Sequence, residues 1–165
     1  MNEDITNRSA FLEPARLLVN KEPIVITTVV GSGVAVTLWD PVNRYGGMCH
    51  FIFPEMREKG KTTVEYGNVA IYALIKSMVD FGSKVANLEA QIFGGGEPQE
   101  GGTLKKTHGP KNIEAAQEAL NKYKVRIVSN DTGGNVGRKI AFNTLRNEVL
   151  TYKVEKLRQG DWLYL

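Results

Sequence analysis

The chain has 165 residues, 42% hydrophobic and 24% charged. That length and balance suit an ordinary globular domain able to bury a core without metal or disulfide staples. A formal net charge of +3, with no Arg/Lys stripe interleaved with aromatics, argues against a nucleic-acid partner. The one cysteine, Cys49, cannot form an internal disulfide, which points to a reducing, cytoplasmic home. The polar N-terminus MNEDITNRSAFLEP lacks the apolar core of a secretory signal. No apolar run approaches the roughly 18 residues that span a bilayer, so no membrane insertion is expected.

In chain order, residues 1–17 are expected to be loosely ordered. IVITTVV (24–30) is a β-branched run that predicts a buried strand. VAVTLW (34–39) and MCHFIF (48–53) predict two more, joined by DPVNRYGG as a long-looped hairpin. Ile71, Leu74, Ile75, Met78 and Val79 recur at helical spacing, with Gly82 placed to cap the helix. ANLEAQIF (86–93) alternates as a half-buried strand. GGGEPQEGGTLKKTHGPK (94–111) is a long polar loop, and Asn112 is placed to cap a second helix bearing Ile113, Ala116, Leu120 and Tyr123. Three strands, 125–130, 138–144 and 149–157, close the chain. Many strands with two helices and no βαβ alternation define an α+β layered domain.

Gly31-Ser32-Gly33 invites a phosphate-cradle reading, but a cradle needs a helix after its glycines. Here VAVTLW follows, so the glycines read as a bend between strands whose backbones pass closely. His50 lies inside an apolar strand and His108 in a polar loop. Cys49 and His50 are adjacent, yet successive strand side chains point to opposite faces, so the two do not share a pocket. No His or Cys spacing suits zinc, and no metal or cofactor is expected. Asp131-Thr132-Gly133-Gly134 reads as a turn.

GSGVAVTLWDP followed by GGMCHFIFP resembles the signature of the CheD family, chemoreceptor glutamine deamidases. That signature runs Gly-Ser-Cys-Val-Ala-Val, aromatic-Asp-Pro, Gly-Gly, a gap, His and Pro. YGNVAIYALIKSMVDFG with LEAQIFGGG, and PKNIEAAQEAL with DTGGNVGRKIAFNT, continue the likeness over about residues 18–158. The resemblance implies one CheD-like domain over 1–165, an α/β/β sandwich with mostly antiparallel strands and two main helices. It is related to toxin-type Cys–His glutamine deamidases. The implied reaction converts receptor glutamine to glutamate and ammonia. The implied partners are the cytoplasmic helices of chemoreceptors and a CheC-type phosphatase.

By the same resemblance the base falls on His50, the helping threonine on Thr27 and the nucleophile on Gly33, where cysteine is expected. Substrate-facing positions are expected at Ser32, Phe93, Gly94 and Gly95, and the loop 94–111, long and carrying both charge signs, is expected to face the receptor. Glycine offers no atom for attack on an amide, so the chain is expected to be a poor or dead deamidase. Glycine at 33 is also expected to leave the pocket larger.

Overall fold

The computed structural model describes residues 8–56, 63–97 and 108–154. In chain order these form β1 (Ser9–Phe11), β2 (Arg16–Asn20), β3 (Val25–Val30), β4 (Val34–Asp40), β5 (Tyr45–Phe51), α1 (Gly67–Asp80), β6 (Glu89–Gly94), α2 (Gly109–Lys122), β7 (Arg126–Thr132), β8 (Gly137–Asn143) and β9 (Glu148–Val154). One sheet has the order β1-β3-β8-β9 and the other β2-β5-β4-β6-β7. Pairing is antiparallel except for β1 with β3 and β6 with β7.

The five-stranded sheet is the middle layer. Val34, Val36, Leu38, Cys49 and Phe51 on one of its faces pack against Ile71, Leu74, Met78 and Leu120 of the helices. Ala35, Met48 and Phe93 on the other face meet Ile26, Val30, Ile140 and Phe142 of the four-stranded sheet. The expected α/β/β layering is therefore observed. It explains the sequence pattern: middle-layer strands are covered on both faces and read as near-continuous apolar runs.

Several local readings change. Part of the segment expected to be loosely ordered is β-structure: β1 lies beside β3, and β2 begins at Arg16. Gly46 and Gly47 are not turn residues but lie within β5, where a side chain at either would drive its Cβ to 2.5 Å from a carbonyl, Leu38 or Leu18. The hairpin loop shrinks to residues 41–44, organised by Asp40, which accepts from the Val42 and Asn43 N–H groups and from the Asn43 and Ser83 side chains. Burial works to raise the Asp40 pKa, but those hydrogen bonds outweigh it and hold the carboxyl below its ordinary range. The polar side of β6 is not in water, because Gln91 is buried between the sheets and bonds Asn147. Gly82 does end α1: at φ +116 it donates to Val79 O, and Ser83 N–H reaches Met78 O.

Candidate functional site

β3 belongs to one sheet and β4 to the other, so Gly31-Ser32-Gly33 carries the chain across the gap between layers. The end of β6 runs beneath this bend. Gly95 N–H donates to Gly33 O at 2.8 Å and Gly96 N–H to Gly31 O at 3.0 Å. Gly94 and Gly95 have φ of +107 and +66, which L-residues rarely adopt. Built Cβ atoms there would strike Gly33 O and Ile113. Arg138 braces the far side, donating to Gly133 O at 2.8 Å, with its Nε 3.3 Å from Asp131. The Asp-x-Gly-Gly-x-x-Gly-Arg run is thus a clamp on the bend's support.

His50 pairs with Ala35 in the β4–β5 ladder. It shares a strand face with Met48, toward the four-stranded sheet, while Cys49 points under the helices. The two side chains therefore do not meet. Burial pushes the Cys49 thiol up to about 12, too high for a useful thiolate near neutral pH.

The His50 ring is 2% exposed, and burial pushes its pKa down to about 4, so the imidazole is neutral near pH 7. Its Nδ1 lies 3.0 Å from Thr28 Oγ1. That hydroxyl donates its single proton to Leu12 O at 2.7 Å, so toward His50 it must accept. The Nδ1–H tautomer follows, and Nε2 is the basic nitrogen.

Nε2 faces position 33. A Cβ built on Gly33 would stand 3.0 Å from His50 Nε2 and 2.9 Å from Phe51 O. Gly33 has no left-handed φ, so nothing in its backbone conformation demands glycine. Nor does glycine enlarge the pocket as expected. The bend lies close against β5, leaving less room than a methyl group needs.

The threonine on the imidazole is Thr28, whereas the resemblance pointed to Thr27. Ile26, Thr28 and Val30 share the inner face of β3, and Thr27 falls on the outer face by strand alternation. Its hydroxyl reaches only Ala10 O, at 3.4 Å. Phe93, placed at the substrate by the sequence, is 3% exposed and packed between the sheets. Ser32 is half-buried beside Gly33, and Gly94 and Gly95 support the bend from below. Most of the loop 94–111 lies outside the described residues.

Asn112 caps nothing: α2 begins at Gly109, and the Asn112 amide reaches into the bend instead. His108 flanks α2 and meets the Phe53 ring edge-on at 5.4 Å. A cavity of about 580 Å³ is lined by Pro54, Asn68 of α1 and Lys111, Glu114 and Glu118 of α2, and neither Gly33 nor His50 lines it. Among the described residues no three His, Cys, Asp or Glu side chains are grouped to hold a metal ion, and no helix is long and apolar enough to cross a membrane.

Two helices over two mostly antiparallel sheets, with a strand histidine facing the start of the neighbouring strand, define an α+β protein of three layers. The chain matches the family model described as CheD chemotactic sensory transduction over residues 53–153, and it belongs to the CheD family. Among its relatives, the probable chemoreceptor glutamine deamidase CheD of Trichlorobacter lovleyi is 38% identical, covering 87% of this chain and 89% of the relative. The chemoreceptor glutamine deamidase CheD of Thermotoga maritima is 34% identical over 82% of this chain and 86% of its own length. That of Sulfurimonas denitrificans, named as probable, is 35% identical over 88% and 94%.

Proposed function

We propose that this chain is a non-catalytic CheD protein, a single CheD-like domain that recognises chemoreceptor glutamine sites without converting them. The observation that carries the reading is the 3.0 Å between His50 Nε2 and the place a Cβ would occupy at residue 33. The base is oriented and uncharged, and it faces a residue with no side chain. Amide hydrolysis by a Cys–His pair requires a thiolate at that point. Removing the nucleophile from a comparable hydrolytic triad lowers kcat by about 10⁶. Ser32 is adjacent in sequence but is no ready substitute, because a hydroxyl needs a base placed to take its proton, and the imidazole Nε2 faces position 33.

The relatives are named as chemoreceptor glutamine deamidases, one of them as probable, which supports a chemoreceptor as the partner class, and its cytoplasmic helices as the surface met. The test is calorimetric titration of a receptor cytoplasmic fragment into the native chain, followed by mass spectrometry of the mixture. The expected outcome is saturable binding with glutamines left as amides. Absence of binding to any receptor fragment of the same organism would overturn the receptor role, and titration of a CheC-type phosphatase in the same cell scores the alternative partner.

A further inference from the structure

Asn112 occupies the first turn of α2 and is fully buried. Ala116 and Leu120, one and two turns further along the same helix face, are equally buried and apolar. An amide in such a stripe is costly to bury unless its donors are used. Both are. Nδ2 lies 2.9 Å from Ser32 O and 3.1 Å from Ile52 O. Since both neighbours are carbonyls, the nitrogen must face them, and the orientation of the amide is settled. Oδ1 has no hydrogen-bond partner among the described residues. A helix contact meant only for packing would be met by leucine, with no stranded acceptor.

The two carbonyls belong to the residue before Gly33 and to the second residue after His50. One NH2 group therefore ties the bend that carries position 33 to the strand end that carries the imidazole. We propose that Asn112 is the positioning residue that sets the gap between residue 33 and His50. This rests on reading that pair as the site. Asn112 holds the two backbones in register from the helix layer, while Thr28 orients the ring from the opposite sheet.

The experiment uses the full chain carrying Gly33→Cys, with the introduced thiol's ionisation followed by thiolate ultraviolet absorbance across the neutral range. Cys49, with a pKa near 12, stays silent there. The expected result is a thiolate formed below the ordinary thiol range, because the thiol proton passes to Nε2 and the resulting imidazolium and thiolate stabilise each other, raising the His50 pKa from its value beside glycine. Adding Asn112→Ala should move that titration up by about one unit, or about tenfold less thiolate at neutral pH. Asn112→Leu, close in volume, should do the same while keeping the helix packing, and it decides the matter if the alanine variant does not fold. A titration unchanged by Asn112→Leu in a chain with native circular dichroism would overturn the proposal. Receptor turnover is not part of the readout. A titration that responds to Asn112 in a protein that never deamidates a receptor would uphold the positioning role and count against the functional reading alone.

Discussion

Replacing Thr28 by valine keeps the β-branched shape and removes one oxygen. In the native fold that oxygen donates to Leu12 O at 2.7 Å and accepts from His50 Nδ1 at 3.0 Å, with the residue fully buried. The substitution takes a partner from one buried acceptor and one buried donor at once. Each loss costs about 1–3 kcal/mol, so Thr28→Val should lower stability by about 2–6 kcal/mol. At about 2–4 °C per kcal/mol for a domain of this size, the melting temperature should fall by about 4–24 °C. Thr27→Val is the matched control. Its hydroxyl makes one long contact at 3.4 Å and is half-buried, and an effect within about 0.5 kcal/mol is expected. Urea unfolding of both variants followed by circular dichroism provides the comparison. If Thr27→Val costs as much as Thr28→Val, the threonine on the imidazole has been misassigned and the tautomer deduced from it falls too.

Burial lowers the His50 pKa from 6.5 to about 4, so the unfolded chain takes up a proton that the folded chain refuses. Its contribution to stability is complete above pH 6.5 and is lost as pH falls toward 4, by at most about 3 kcal/mol; His50→Gln should remove that component from the pH–stability curve. Cys49, its pKa near 12, should not react with a thiol reagent in the folded protein and should react fully in denaturant; prompt reaction under native conditions would show the helix layer to be open. Gly94→Ala should cost more than 3 kcal/mol or prevent folding, as its Cβ would strike Gly33 O at a positive φ. Gly133→Ala, with φ +83 but open space around it, should cost only about 1 kcal/mol; equal effects in thermal melts would mean the bend is not supported by the β6 end.

The layered fold was legible because strand and helix periods are well separated between residues 24 and 93. The separation of Cys49 from His50 was legible for the same reason, since alternation along a strand is a local property. Thr28 was not. VITTVV places two threonines side by side in a β-branched run with no polar alternation to mark its faces, and which one faces the neighbouring sheet depends on how the sheets stack. Asn112 was misread because asparagine just before an apolar helical run is the common cap, and its true partners are 80 and 60 residues away. Gly46 and Gly47 looked like a turn because glycine in a strand carries no local mark of the neighbouring backbone that forbids a Cβ. The close approach of β5 to Gly33 is likewise a tertiary fact. A missing side chain suggests space, but Phe51 O and the His50 ring already stand within contact distance of where a Cβ would be.

Gly33→Cys tests the central claim, that the site lacks one thiol and little else. The introduced Cβ must displace the bend by a few tenths of an ångström from Phe51 O and His50 Nε2, a repacking cost of about 1–3 kcal/mol that leaves a folded protein. Mass spectrometry of a chemoreceptor cytoplasmic fragment incubated with each version should show glutamine converted to glutamate by Gly33→Cys. It should show no conversion by the native chain, and none when His50→Gln is added. Conversion by the native chain, or a folded Gly33→Cys protein that leaves every receptor glutamine intact, would contradict it.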